Sequence, residues 1–328
     1  MNSSGEVTAI NSSSGAAAIQ LEVVRVAAII VSYQPNETDL NRLVNAIRGQ
    51  VAHIVVVDNG SSPDKSGSFD SLDAVVTQII RLGQNYGIGH AHNTGIRWAI
   101  SQDATHVLLF DQDSEPSSDM VARLLASEAE ILAQGTNLGA VGPLYYDSRL
   151  DRTWPFYALT KFGVRPQYCA QLAQAVIPCD LLITSGTLIR LSVIEKIGML
   201  CEEFFIEHVD TEWSLRARFN GFSLFGVCSA RMLHTLGDSL LHLPFVQRPV
   251  QLYGPQRYYY AFRNALLLWR MPQAVLPWKI NELKRLAIRV ILLGIFAPQR
   301  LKRLGMMALG IWHGLLGKSG RLRFRDVD

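Results

Sequence analysis

The apolar run Val107-Leu108-Leu109-Phe110 ends abruptly on Asp111-Gln112-Asp113. Four consecutive large apolar residues read as a strand buried on both faces, the environment of a parallel sheet covered by helices. A chain built that way binds its ligands in the crevice beyond the carboxyl ends of its strands. Two carboxylates one residue apart at such an end converge on one point. Hard oxygen ligands there suit Mg²⁺ or Mn²⁺ bridging the phosphates of a nucleotide. Asp-x-Asp alone also occurs in solvated turns, so its placement carries the argument.

The surrounding chain supports that architecture. Val23–Ser32 is a second near-continuous apolar, β-branched run. After it, Leu40, Leu43, Val44 and Ile47 fall at helical spacing, with Asn36 or Thr38 as N-cap, and predict a helix over 36–49. Further expectations are strands at 53–57, 74–82 and 105–110, a helix at 89–101 between the last two, a helix at 118–134 and a strand at 138–146. Alternation of this kind argues for an α/β chain with a mostly parallel sheet. From Asp147 to Ile177 proline and aromatic residues break the pattern, and a mobile excursion near the substrate is expected. Beyond it lie a strand at 180–190 interrupted by Ser185-Gly186, a short helix at 210–220 and a strand at 223–227. Ser32-Tyr33, Asp58, the two aspartates and the Asp210 region then share one rim as an acidic crevice. Asp58-Asn59-Gly60 is also ordinary turn chemistry.

Charge is unevenly distributed. Of 31 Lys and Arg residues, 12 fall between Arg270 and Arg325, with Glu282 the only one of 28 acids. That segment carries a net +11 while the remainder carries −8, which points to an anionic surface as its partner. Leu283, Leu286, Val290 and Leu293, then Leu301, Leu304, Ile311, Trp312 and Leu315, give apolar faces beside Lys284, Arg285, Arg289, Arg300, Lys302 and Arg303. Such helices suit a membrane surface, or they pack on the preceding domain with solvated charges. No apolar stretch reaches the roughly 18 to 20 residues needed to span a bilayer. Residues 1–22, rich in Ser, Gly, Ala and Asn and without Lys or Arg, are expected to be a disordered tail and not a signal peptide. Cys169, Cys179, Cys201 and Cys228 are scattered, so neither a zinc site nor a disulfide framework is expected and a reducing cytoplasm fits.

Several segments together resemble a known family. Val31-Ser32-Tyr33 with Pro35-Asn36, the stretch VVVDNGSS at 55–62, and Asn85-Tyr86-Gly87-Ile88-Gly89 running into Asn93-Thr94-Gly95 are similar to donor-binding segments of family 2 inverting nucleotide-sugar glycosyltransferases, which have the GT-A fold. Asp111-Gln112-Asp113-Ser114 resembles their metal motif, FFIEHVDTEWSLRAR at 204–218 the start of their catalytic helix, and His234-Thr235-Leu236-Gly237-Asp238-Ser239 their late metal-binding histidine. With Arg257-Tyr258-Tyr259-Tyr260 and Arg263-Asn264, these segments are similar to bacterial rhamnosyltransferases of O-antigen, polysaccharide or rhamnolipid synthesis.

The resemblance implies a GT-A, Rossmann-like domain over 23–265 (donor half 23–115, acceptor half 116–265), followed by a basic amphipathic helical segment at 266–328. It implies metal-dependent inverting transfer of L-rhamnose from dTDP-β-L-rhamnose to a hydroxyl of a saccharide or lipid-linked acceptor. Asp210 is the expected general base. The chain has Val209-Asp210 where many relatives have Glu-Asp, and a second alignment would promote Glu207. Asp111, Asp113 and His234 are expected to hold Mg²⁺ or Mn²⁺. Ser32, Tyr33, Asp58, Asn59, Asn85, Gly87, Asn93, Asp111 and Gln112 are expected at the donor, and Trp213, Ser185 and Gly186 at the acceptor. The enzyme is expected in the cytoplasm, peripheral on the inner face of the membrane, with no nucleic-acid partner. Other sugars such as galactose, galactofuranose or N-acetylglucosamine remain open. A metal-dependent nucleotidyltransferase would need basic residues to hold a triphosphate, and residues 85–93 contain no Lys or Arg.

Overall fold

The computed structural model describes residues 23–72, 76–172, 175–234, 237, 239–242, 244 and 249–322. The expected tail at 1–22 lies outside them, as do Thr235, Leu236 and Asp238 of the histidine motif and Arg323 and Arg325 of the basic segment.

The first half alternates as expected: β1 (Val26–Ser32), α1 (Glu37–Ile47), β2 (His53–Asp58), a 3₁₀ stretch (Pro63–Leu72), β3 (Gln78–Arg81), α2 (Ile88–Ser101) and β4 (His106–Asp111). Asn36 caps α1, its side chain accepting from the Thr38 amide at 2.9 Å. Leu40, Leu43, Val44 and Ile47 are its buried face. All seven residues of β1 are buried, as befits a central strand covered on both sides. Strands β1 to β4 pair in parallel in the order β4-β1-β2-β3, and the register sets Ser32 beside Asp58 and Val31 beside Asp111. The polar ends of these strands therefore meet on one edge.

Next come β5 (Glu115–Pro116), α3 (Met120–Ala133), β6 (Leu138–Asp147), β7 (Arg152–Thr153), β8 (Phe156–Thr160), β9 (Gly163–Gln167), α4 (Cys169–Leu172), β10 (Val176–Cys179), β11 (Leu188–Arg190) and α5 (Leu191–Ile197). The described residues of the segment at 147–177 are thus structured and not an irregular excursion: β8 and β9 form an antiparallel hairpin, and β10 joins the main sheet beside the later strand β12 (Ser223–Leu233). Only 188–190 of the strand expected at 180–190 forms. It runs antiparallel to both β4 and β6, because Gly186 at φ +80° turns the chain just before it.

A 3₁₀ turn (Glu202–Phe204), α6 (Val209–Phe219), β12 (Ser223–Leu233), β13 (Ser239–Leu241), β14 (Val250–Leu252) and α7 (Pro255–Trp269) follow, then α8 (Leu276–Phe296) and α9 (Arg300–Leu315). The main sheet reads β10-β12-β6-β11-β4-β1-β2-β3, mixed at one end and parallel at the other. A disulfide joins Cys169 of α4 to Cys228 of β12, contrary to the reading of scattered cysteines; the two lie 59 residues apart and only the sheet brings them together.

Helix α7 runs through residue 265, so the boundary expected there falls inside a helix. Helix α9 then docks on α7, where Gly310 sits too close to the Tyr259 carbonyl for any Cβ. Tyr259 Oη and His313 Nδ1 are 2.8 Å apart across this contact. The basic face is not wholly outward either. Arg303 is buried, bonding the carbonyls of Pro298 and Tyr253, and Glu282 of α8 is buried against His208. The outer faces remain apolar and open: Leu283 and Ile291 are 58% and 59% exposed, Leu301 80% and Trp312 58%. Among the described residues no helix is long and apolar enough to cross a membrane.

Candidate active site

The carboxyl edge of β1, β2 and β4 opens into a crevice of about 560 Å³. Gln112 ties its floor together. Its Oε1 accepts from the Tyr33 amide at 2.8 Å and from Ser32 Oγ at 2.9 Å, and its Nε2 donates to the Tyr33 carbonyl at 3.2 Å. Tyr33 is left exposed on the rim, beside Asn59, Asn85 and Gly87. These loops brace one another: Asn59 Nδ2 donates to Asn85 Oδ1 at 3.2 Å, and Asn59 Oδ1 accepts from the Tyr86 amide at 2.9 Å. Gly87 takes φ +94° directly against Phe205, where no Cβ fits.

Asp111, Asp113 and His234 meet at the centre. His234 Nε2 is 3.8 Å from Asp111 Oδ2, and its Nδ1 is 3.8 Å from Asp113 Oδ1. A chain of hydroxyls supports them. Ser185 Oγ lies 2.6 Å from Ser114 Oγ, which lies 3.2 Å from His234 Nδ1, and the Asp111 amide donates to Ser185 Oγ at 3.2 Å. Burial pushes the Asp111 carboxyl up to about 6; the charges of Asp113 and Asp210 add to this, while His234 and Arg257 oppose it. Two carboxylates and one imidazole lining one crevice have the donor chemistry of a Mg²⁺ or Mn²⁺ site. As they stand, no group of three such side chains among the described residues is close enough to hold an ion.

Asp210 enters from the first turn of α6. Its Oδ1 accepts from the Thr211 amide at 2.7 Å. Burial raises its pKa, outweighing that bond and the neighbouring His208. A helix start favours the ionised form, but burial here has the larger effect. Glu207, the other candidate base, is engaged differently: Arg257 donates to its Oε1 through Nε at 2.7 Å. Burial alone would raise Glu207, but Arg257, Arg289 and His208 together bring it below the usual range. A carboxylate so neutralised is the poorer proton acceptor.

The turn delivering Asp210 is strained. Phe205, Glu207 and His208 all adopt φ of +63° to +64°, which costs about 1–3 kcal/mol each for residues with a Cβ. Asn264 of α7 fastens it, its Nδ2 donating to the carbonyls of Phe204 (2.9 Å), Ile206 (2.7 Å) and Glu207 (2.9 Å). Arg263, buried alongside, donates to Phe204 O at 3.0 Å and to Gly320 O at 2.5 Å, and the Gly320 amide donates to Glu203 O. The chain after α9 thereby packs behind the turn that carries Asp210.

Several expected site residues lie elsewhere. Trp213 is buried in the core with Nε1 on the Gly198 carbonyl, so it does not reach an acceptor. Ser185 and Gly186 are buried beneath Asp111 and against Pro143, supporting the metal-type cluster. Asn93 spends its amide on Leu200 O, Glu202 Oε1 and the Leu200 amide, locking α2 to the 200–202 turn, and does not line the crevice. Asp58 accepts from the Ser61 amide at 2.9 Å, the turn chemistry its sequence also allows, and Ser32 is covered by Gln112. The far wall was not anticipated: Tyr145, Trp154, Tyr157, Tyr253, Arg257, Arg285 and Arg289. Arg285 and Arg289, four apart on α8, share a face, a signal that the outward-facing reading of this helix passed over.

A model of the family described as Glycosyl transferase family 2 matches residues 27–187. The chain is 29% identical over 297 residues to a protein of Shigella flexneri described as dTDP-rhamnosyl transferase RfbF, covering 90% of this chain and 97% of that one. It is 24% identical over 304 residues to the low-salt glycan biosynthesis hexosyltransferase Agl10 of Haloferax volcanii, covering 89% and 92%. Among solved structures, GalNAc-T7 with UDP, GalNAc and Mn²⁺ superposes with a TM-score of 0.54 at 15% identity. That match covers 82% of this chain and about half (54%) of the other, and it shows a shared fold.

The placement of Asn93 has a measurable consequence. Asn93→Ala should lower unfolding free energy by about 1–3 kcal/mol, the scale for stranding buried hydrogen-bond partners, and leave nucleotide affinity unchanged. Denaturation and calorimetry on the same variant check both halves. A selective loss of affinity would return Asn93 to the binding site.

Proposed function

We propose, for a chain that is a glycosyltransferase with a family 2 domain over residues 27–187, that it transfers L-rhamnose with inversion from dTDP-β-L-rhamnose to a hydroxyl of a saccharide or lipid-linked acceptor in cell-surface glycan synthesis. The relative described as a dTDP-rhamnosyl transferase supports this donor. The observation that carries the chemistry is the convergence of Asp111, Asp113, His234 and Asp210 in the crevice walled by Tyr33, Asn59 and Asn85. Transfer with inversion needs a carboxylate opposite the departing diphosphate. Asp210 takes the acceptor hydroxyl's proton as that oxygen bonds to the anomeric carbon and the bond to phosphate breaks. Its raised pKa makes it a stronger base than a solvated aspartate. Asp111, Asp113 and His234 would hold Mg²⁺ or Mn²⁺, which neutralises charge on the leaving diphosphate when bound. Gln112 keeps Tyr33 and the aspartates in register.

We further infer that the open apolar faces of α8 and α9 rest on an anionic membrane surface, with Lys284, Arg300 and Lys302 exposed beside them. Arg285, Arg289 and Arg303 turn inward, so the charge available to headgroups is smaller than the +11 of the whole segment.

Asp210→Asn should keep nucleotide binding and cut turnover by about 10²-fold or more. In the wild type the acid limb of the rate profile should lie above the usual carboxylate range, because activity needs ionised Asp210 and falls as pH drops through its raised pKa. Turnover within a few-fold of wild type would move the base elsewhere. Asp113→Ala should abolish the Mn²⁺-dependent part of dTDP affinity in calorimetry, and an undiminished metal effect would remove Asp113 from the ligand set. For the membrane, truncating the helices would break the domain, so surface variants are the cleaner probe. Leu283→Glu with Ile291→Glu should reduce flotation with anionic liposomes, and salt should weaken wild-type binding. Equal recovery of both proteins would rule that surface out.

A further inference from the structure

The crevice has two chemically distinct sets of lining residues. Tyr33, Asn59, Asn85 and Gly87 carry no formal charge and belong to the loops after β1, β2 and β3. Helices α7 and α8, the latter packed on β8 and β9, bring Arg257, Arg285 and Arg289 into the same space. Two of these guanidiniums are matched within the chain. Arg257 pairs with Glu207 at 2.5 Å, and Arg285 makes a two-pronged contact with Glu282 at 2.7 and 2.8 Å. Arg289 forms no hydrogen bond or ion pair among the described residues; Arg285 repels it, and Glu207 and Glu282, which attract it, are already bonded by Arg257 and Arg285.

Three arginines against these two glutamates leave one positive charge in excess, and a half-buried guanidinium without a directional partner faces the cavity ready to meet an anion. A guanidinium meets phosphate or carboxylate oxygens in a two-pronged geometry that few other side chains match. Aromatic rings stand close by. Tyr145 stacks on Trp154 with ring centroids 6.2 Å apart, and Arg257 lies 4.2 Å over Tyr253. A sugar face and an attached anion would thus each find a complementary surface. Helix α8 also packs beside the Asp210 turn, with Glu282 Oε1 3.4 Å from Nε2 of His208 at the start of α6, two residues before Asp210.

We propose that Arg289, with Arg285 beside it, forms an anion subsite that recognises a phosphate group carried by the acceptor, so that α8 is a wall of the acceptor site as well as an outer surface. This deepens the glycosyltransferase reading above and rests on it for the word acceptor. The donor also carries phosphates, but the loops expected to hold the nucleotide follow β1 to β3, whereas α8 packs on β8 and β9.

The test is calorimetry on the full chain with the nucleotide site saturated by dTDP and Mn²⁺, titrating a hexose 1-phosphate and, separately, its methyl glycoside. Wild type should bind the phosphate more tightly than the glycoside. Arg289→Gln should weaken the phosphate by about tenfold or more, the scale of a charge-assisted hydrogen bond. Arg289→Lys, which keeps the charge without the fork, should recover part of the loss and guards against a folding artefact, alongside thermal melts of both variants. Separate dTDP titrations should give affinities within twofold across the three proteins. A fall in dTDP affinity that matches the fall for the hexose phosphate would assign the arginines to the donor's diphosphate and overturn the proposal. So would a wild type without preference for phosphate, or an Arg289→Gln protein that retains it. A protein that binds hexose phosphate but not dTDP would keep this subsite and count against the donor reading instead.

Discussion

The side-chain amide of Asn264 bonds three carbonyls of one turn, and much of the site depends on that contact. Residues 205–208 include three non-glycine residues in the left-handed region, a conformation no isolated peptide of this composition would hold. Buried hydrogen bonds stabilise it because breaking them would strand carbonyls away from water. The turn in turn supports Gly87 through Phe205, sets Glu207 against Arg257 and starts α6 so that Asp210 faces the crevice. The Gly87 loop, the Asp210 turn and the C-terminal helices are therefore mechanically one unit, and the docking of α9 on α7 belongs to the architecture of the candidate site.

Electrostatics divides the same crevice. Asp111, Asp113 and Asp210 crowd negative charge at the centre, where burial and mutual repulsion push Asp111 toward neutrality. Glu207 sits a short distance along the chain yet is brought the other way by Arg257 and Arg289. Two carboxylates three residues apart, Glu207 and Asp210, thus acquire opposite tendencies from their surroundings. Arg257, Arg285 and Arg289 outnumber Glu207 and Glu282, the glutamates they act on, and one positive charge is left in excess beside the crevice.

Much of the fold was legible in the residues. The apolar runs of β1, β2 and β4, the Asn36 cap and the buried face of α1 follow from short-range periodicity and capping chemistry. Asp111, Asp113 and Asp210 were legible because a carboxylate closing a buried strand or opening a helix has few places to point. The segment at 147–177 was not, since a hairpin rich in Pro and aromatic residues lacks the alternation that marks a strand. The Cys169–Cys228 disulfide was likewise invisible in the spacing of its two residues.

What the sequence determined alone is the local part: which stretches form strands and helices, that the sheet is wound with helices, and that acidic groups cap its strands. Those outcomes rest on interactions between residues a few positions apart, and their signal is periodic. The tertiary structure decided which polar side chains face the crevice and which are consumed within the protein. Trp213, Ser185 and Asn93 looked available and are spent on Gly198, Ser114 and Leu200. Arg285 and Arg289 looked like solvated charges and line the site. A side chain's partner is chosen by long-range packing, and a buried donor or acceptor bonds whatever polar group the fold brings to it.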